Sequence, residues 1–182
     1  MSSLFRPAID LLTDYAERHR DRRNIVTHVV GLPLIVLAMS LLLARPALEV
    51  AGWPTTPAWL VYVLAASWYL TRGAPALGVA TTLAIGVLVA LAQGAASGAG
   101  MAAWLGWGAG LLVAGSSLLL LGHYYEGRQP AFGADPAGVL AGPMFVVLEL
   151  LGSHRPWRRL HDEVERRAGP PTIRDLAAPL AR

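Results

Sequence analysis

The chain of 182 residues contains no cysteine and no lysine. Without thiols, neither a disulfide framework nor a thiolate metal site can form, so any metal ion must bind through histidine, aspartate or glutamate. Without lysine, a Schiff-base mechanism and a Walker-type phosphate loop are excluded. The five histidines and twelve acidic residues are therefore the side chains available for metal chemistry.

Charged residues are absent from residues 73–122, a run of fifty. A soluble domain cannot bury so long an apolar stretch, so a lipid bilayer is its natural solvent. Five arginines precede the first apolar run and seven follow residue 152, positions that membrane topology and anionic lipid explain better than nucleic acid does. The sequence therefore predicts an integral membrane protein that contacts lipid and does not bind nucleic acid. The mixed charges before residue 24 are also unlike a cleavable signal peptide.

The apolar runs predict an all-α, single-domain bundle with four transmembrane helices. A helix needs about 20 apolar residues to cross the hydrocarbon core. The expected spans are residues 25–44, 57–71, 74–92 and 101–121. Within the fourth span, Gly106, Gly110 and Ala114 follow one another at four-residue steps, the small-residue spacing that predicts a close contact between helices.

The segments outside the spans are predicted to lie at the membrane surface. Residues 1–24 form an amphipathic helix, and residues 153–182 form a polar tail with a second amphipathic helix. Residues 123–152 hold a motif loop and a short apolar helix of about 18 Å, which is too short to cross and is interpreted as re-entrant or interfacial. Because arginines concentrate at both ends, both termini are expected on the cytoplasmic side, which requires an even number of crossings.

This topology brings four of the five histidines to one membrane face. His28 lies one turn into the first span and His123 closes the fourth, while His19 and His161 lie on apolar faces of the flanking helices. One interfacial histidine can simply anchor a helix, but neutral imidazole is also the commonest metal ligand. We therefore predict a metal site formed by these four residues. His154 falls in a turn, where an exposed side chain is the ordinary explanation.

The spacing of His19 and His28 constrains how they can meet. Nine residues correspond to about 900° of helical rotation, so on one continuous helix the two rings would face opposite ways. The charged segment 18–24 is the expected break between two helices. Asn24 could cap the second of these helices, or it could contact the site and orient the imidazole of His28 four residues later.

Acidic and basic residues accompany the last predicted ligand. Glu126 follows His123 at i+3, a pairing found in helical iron sites. Glu126 could be a metal ligand, a partner of an imidazole N–H, a general base or a solvated residue at the start of a loop. Arg128 could hold a carboxylate or a lipid phosphate. Glu149 lies in an apolar segment and should need an arginine or histidine partner.

These residues lie in three motifs: Tyr15-x3-His19-x4-Asn24-x3-His28-x2-Gly31-Leu32-Pro33, Gly122-His123-x2-Glu126-x2-Gln129-Pro130-Ala131 and Pro143-x-Phe145-x3-Glu149. Together the motifs resemble the 2-hydroxy fatty acid dioxygenase family, small membrane proteins long described only as a domain of unknown function. The resemblance implies an Fe(II)-dependent dioxygenase that uses O2 to shorten a long-chain 2-hydroxy fatty acid by one carbon and releases CO2.

The resemblance and the residue chemistry above together give each of these residues an expected role in such an enzyme. Metal ligands are expected at His19, His28 and His123, with His161 added from its predicted location. Asn24 and Glu126 are expected to take part in catalysis, and Tyr15 and Arg128 to contact the substrate. Arg20, Asp21 and Gln129 depart from residues common in the family, which bears on substrate contacts more than on the metal site.

Two other classes of protein remain open at this point. A non-enzymatic scaffold or lipid-binding bundle would use the same histidines only as helix anchors, and it would not hold iron after purification. A di-iron lipid hydroxylase usually carries His-x3-His and His-x2-His-His clusters, and this chain contains neither.

Overall fold

A computed structural model describes residues 3–127 and 136–177, and these are mostly helical. A short 3-10 turn, Ser3–Phe5, precedes the first helix. The helices of the described ranges are α1 (Ala8–Glu17), α2 (Arg22–Leu43), α3 (Pro57–Leu70), α4 (Pro75–Gly98), α5 (Met101–Glu126), α6 (Pro136–Leu151) and α7 (Arg158–Ala168).

Among the described residues, three helices are long and apolar enough to cross a membrane: α2, α4 and α5. The predicted second span is shorter, because α3 has 14 residues and so rises about 21 Å, less than the hydrocarbon thickness of about 30 Å. The prediction of a helical membrane protein is confirmed at this level. The prediction that the chain crosses the membrane four times is not confirmed, and the cytoplasmic location of both termini stays a prediction.

The connection between α2 and α3 contains a short element that the sequence analysis did not predict. Strands β1 (Leu48–Val50) and β2 (Trp53–Thr55) pair there as an antiparallel hairpin. Ala51 and Gly52 connect them with φ angles of 51° and 81°, as in the tight turns that match the twist of a two-stranded ribbon. The hairpin lies at the end of α2 opposite to the histidines.

Glycines of α5 let it approach α2 closely. A Cβ on Gly115 would lie 2.8 Å from the carbonyl oxygen of Gly31 and 2.7 Å from Ile35 Cγ1. Gly108 and Gly122, seven residues to either side, face α2 in the same way. The contact predicted for Gly106 and Gly110 was wrong, since a Cβ on either meets nothing within 4 Å among the described residues. The glycines that contact α2 therefore recur every seven residues, as along the contact line of a packed helix pair, and not every four residues as predicted.

Helix α6 supplies the centre of the core at the histidine end. It is 16 residues long, longer than the twelve expected, and it is buried by the amphipathic helices α1 and α7 together with α2 and α4. The predicted apolar faces of α1 and α7 are therefore confirmed as packing surfaces. Buried side chains of this cluster include Leu12, Ala16, Met144, Phe145, Leu148 and Val164.

We predict that Gly115→Ala destabilises the protein by about 1–3 kcal/mol, since the added methyl group forces backbones apart in a filled interface. Gly110→Ala is the matched control, because its methyl group enters open space and removes the flexibility cost of glycine, worth about 0.5–1 kcal/mol. Thermal unfolding followed by circular dichroism in detergent measures both. Equal midpoints for the two variants would contradict the α2–α5 contact.

Candidate metal centre

The chain breaks between α1 and α2, as the spacing of the first two histidines predicted. α1 ends at Glu17 and α2 begins at Arg22, which leaves His19 in the short connection. The rings of His19 and His28 lie nearly perpendicular to each other with their centroids 4.5 Å apart. The predicted break is confirmed, and it is what allows the two residues to share one site.

His123, near the end of α5, completes a cluster of three histidines. Its ring centroid lies 5.5 Å from that of His19 and 5.4 Å from that of His28. One ring nitrogen from each residue lies within 4.8 Å of the other two. His19 and His28 are buried and His123 is half-buried. Three neutral imidazoles that converge in this way could hold a metal ion.

Backbone carbonyl groups orient two of the imidazoles. His19 Nδ1 lies 2.7 Å from the carbonyl oxygen of Tyr15, and His28 Nδ1 lies 2.9 Å from that of Asn24. A carbonyl oxygen only accepts, so each Nδ1 carries the hydrogen in the neutral ring and each Nε2 keeps its lone pair. This is the arrangement of metal-binding histidines, whose second nitrogen is held by an acceptor.

The surroundings of His19 keep its ring neutral. Burial lowers the pKa of His19 to about 3, and the neighbouring His28 acts in the same direction. The ring is therefore uncharged at neutral pH, which a metal ligand requires.

Aromatic rings form one wall of the cluster. The ring of Tyr15 stacks on His19 with a centroid separation of 4.0 Å and an angle of 5°. Phe145 of α6 lies 5.0 Å from the Tyr15 ring and 6.2 Å from the His19 ring. Tyr15 was expected to contact the substrate, and its position beside the cluster leaves that as a prediction. The sequence motif contained Phe145, but only the fold shows that it belongs to the wall.

Glu126 ties the end of α5 to the start of α2. Its Oε1 accepts from the backbone N–H of Arg20 at 3.0 Å, and its Oε2 accepts from that of Asp21 at 2.8 Å. Oε2 also accepts from the amide of Asn24 at 3.0 Å. The structure shows that Glu126 is not simply solvated, and it shows a role that the sequence did not suggest, which is to hold the backbone beside the histidines. The three-histidine group does not include it.

The predicted helix cap at Asn24 was wrong. Asp21 is the N-cap of α2, where its side chain accepts from Arg23 N at 2.8 Å. The side chain of Arg23 lowers the pKa of Asp21 to about 2. Asn24 is instead fully buried in the first turn, with Oδ1 against Gly122 and without a hydrogen-bond partner. Its backbone carbonyl orients His28, as the alternative interpretation expected.

His161 lies beside Glu149 and outside the three-histidine group. Its Nε2 is 3.8 Å from Glu149 Oε1, so the expectation that Glu149 has a histidine or arginine partner is confirmed. Its predicted role as the fourth ligand has no support in this geometry. Arg128, the expected carboxylate clamp, lies outside the described residues, and His154 is exposed, as predicted.

A C-terminal strap, residues 172–174, crosses the histidine end of the bundle. Thr172 pairs with Asp21 as a parallel β-bridge. Arg174 donates from its backbone N–H to the Asp21 carboxylate at 2.8 Å and from Nε to the carbonyl oxygen of Tyr125 at 3.1 Å. The strap thus joins the start of α2 to the end of α5. Sequence reasoning missed it, although two consecutive prolines just before it do signal extended backbone.

Fold and site define a class: a helical membrane protein with three histidines that could hold a metal ion at one end of its bundle. The chain belongs to the family described as 2-hydroxy-palmitic acid dioxygenase Mpo1-like, which matches residues 5–154. The resemblance inferred from the motifs is confirmed. The matched part contains the three histidines and Glu126 but ends before His161 and the strap. No curated protein and no solved structure matches the chain.

We predict that the His161–Glu149 pair stabilises the fold most at low pH. The nearby carboxylate of Glu149 raises the pKa of His161, and the negative charges of Glu165 and Asp162 add to the effect. A raised folded-state pKa gives stability that is complete below the unfolded pKa of about 6.5 and is lost as pH rises through the folded value. The thermal unfolding midpoint should fall as the pH rises through that range, and it should fall less in His161→Gln.

Because the pair is partly exposed, the effect should stay below about 1 kcal/mol. His154→Gln is the control, since His154 is exposed. Calorimetry at a series of pH values measures the unfolding midpoint. Identical pH profiles for wild type and His161→Gln would show that the pair does not contribute to stability.

Proposed function

We propose that the protein is an Fe(II)-dependent dioxygenase that shortens long-chain 2-hydroxy fatty acids by one carbon with O2. The observation that carries the proposal is the convergence of three imidazoles within 4.8 Å, in a chain of this family. Two of them present the Nε2 lone pair because a backbone carbonyl holds the Nδ1 hydrogen. Neither a lipid-binding bundle nor a scaffold requires such an arrangement.

The donor set is compatible with iron. Imidazole nitrogen binds Fe, Zn and Cu. The reaction with O2 suggested by the family requires a redox-active ion, which excludes Zn, and we propose iron. Fe(II) held by His19, His28 and His123 would supply electron transfer toward O2 and a Lewis acid for the two oxygens of a 2-hydroxy acid. Within the described residues no second group of ligands accompanies the three histidines, which speaks against a di-iron hydroxylase.

The overall reaction balances without another organic substrate. The bond between C1 and C2 of the 2-hydroxy acid breaks, C1 leaves as CO2, and C2 is oxidised from an alcohol to a carboxylic acid. The substrate gives up four electrons, which reduce O2. The products are the shortened acid, CO2 and one molecule of water. No external reductant is needed, in contrast to a hydroxylase.

The residues around the histidines have distinct proposed tasks. Glu126 and Asn24 act as positioning residues, because Glu126 fixes the α1–α2 connection and Asn24 holds the ring of His28. Tyr15 and Phe145 shield one side of the cluster from water. The carboxylate of the substrate would lie at the cluster, with Arg128 as its proposed partner, and the alkyl chain would extend along the apolar helices.

We predict that the three histidines are required for iron binding. His123→Ala should lower iron content at least about tenfold, because losing a group that only orients a metal ligand already costs about 10–100-fold in metal affinity. His154→Ala, at an exposed histidine, should keep full iron content, and His161→Ala tests the fourth predicted ligand. Metal analysis by mass spectrometry on detergent-purified protein measures all three. Full iron occupancy in His123→Ala would show that the site has been misplaced.

We predict that the iron-loaded protein converts a long-chain 2-hydroxy fatty acid and O2 into the acid one carbon shorter and CO2. A plain fatty acid should react poorly, because it lacks the hydroxyl oxygen that binds beside the carboxylate. Liquid chromatography with mass spectrometry identifies the product, and an oxygen electrode gives the stoichiometry. Equal turnover of hydroxylated and plain acids would refute recognition of the hydroxyl group, even if oxygen is consumed.

A further inference from the structure

A cavity lies at the end of the bundle opposite to the histidines. It has a volume of about 570 Å³ and is formed by the end of α2, the hairpin, the start of α3 and the last part of α4. Arg45 lies seventeen residues after His28, a rise of about 25 Å along a helix. The cavity and the metal centre therefore lie at opposite ends of a helix long enough to span a membrane.

Arg45 makes this cavity cationic. It is the one charged residue among the described residues that line the cavity, and it forms no ion pair with them. Its Nη1 is buried without a hydrogen-bond partner, and its guanidinium lies over the ring of Trp104 at 5.2 Å. A buried N–H without an acceptor is costly, and a guanidinium matches the two oxygens of a phosphate or carboxylate.

A fixed amide lies beside this cation. Gln93 accepts from the hydroxyl of Thr56 at 3.1 Å and donates from Nε2 to the carbonyl oxygen of Ala44 at 3.3 Å. Both bonds orient the side chain, and Nε2 has a second N–H. Because Ala44 directly precedes Arg45, the amide and the guanidinium are held at the same wall of the cavity.

The surroundings indicate which anion can reach this cavity. Trp53 of the hairpin and Trp107 of α5 are 77% and 68% exposed, and exposed tryptophans of membrane proteins are enriched at the level of the lipid headgroups. Large apolar side chains on α3 and α4 are also exposed, including Leu64 and Leu83. The cavity therefore opens at headgroup height beside a surface suited to acyl chains.

We propose that this cavity binds the phosphate of an anionic phospholipid headgroup, with Arg45 as the charged contact and Gln93 as a second donor. The site is separate from the metal centre, so the proposal is independent of the dioxygenase reaction. Its ligand is a component of the membrane and not the substrate.

The test measures lipid retained by the purified protein. Wild type is reconstituted into nanodiscs of phosphatidylcholine with a minority of phosphatidylglycerol, released, and examined by native mass spectrometry. Wild type should retain phosphatidylglycerol above its share of the mixture. Arg45→Gln should weaken that retention on the order of tenfold, the effect expected for one hydrogen-bonded charge. Arg159→Gln is the matched control, because it removes the same charge from an exposed position on α7.

A second variant keeps the charge and blocks the space. Ser97 lines the cavity from an exposed position, so Ser97→Leu should reduce retention while circular dichroism shows an unchanged fold. Inorganic phosphate is added as a competitor: displacement shows that phosphate alone suffices, and no displacement shows that the site requires the whole lipid. Undiminished retention in Arg45→Gln, or an equal loss in Arg159→Gln, would overturn the proposal.

Discussion

The antiparallel contact between α2 and α5 determines where the other parts of the site can lie. Gly115 brings its backbone against Gly31, and two further glycines of α5 face α2 at seven-residue intervals. Because these positions of α5 carry no side chain, residues of α2 such as Ile35 and Leu42 pack directly against the backbone of α5, and the two helices stay close. His28 near the start of one helix and His123 near the end of the other are therefore held on neighbouring surfaces. A bulkier residue in this seam would move the two imidazoles apart together with the helices.

Hydrogen bonds to the backbone then orient the histidine rings that the helix contact brings together. The connection between α1 and α2 places His19 beside His28, and carbonyl groups one turn earlier fix both rings. The same connection exposes backbone N–H groups at the start of α2, and Glu126 accepts two of them. A negative charge is favourable at a helix N-terminus, so this carboxylate stabilises the junction that carries the first histidine.

The C-terminal strap shows how residues beyond the family match support the same end of the bundle. Arg174 joins the cap of α2 to a terminal carbonyl of α5, a group that has no partner within its own helix. Asp21 is buried between Arg23 and this strap, and its low pKa follows from their hydrogen bonds. At the other end, no acid neutralises Arg45 among the cavity residues described. At the histidine end the buried acid Asp21 is thus paired, whereas the cavity at the other end offers a cation.

The sequence by itself determined the membrane class, the amphipathic helices and the histidine motifs, because each depends on composition or on local helical periodicity. It also determined that a break must separate His19 from His28. The tertiary structure alone decided which small residues form the close contact, since Gly106 and Gly115 lie in the same apolar helix and only Gly115 faces α2. It also decided that His161 pairs with Glu149, because that contact depends on how α7 packs against α6. The contact of the strap with Asp21 joins residues 153 positions apart, which no local pattern encodes.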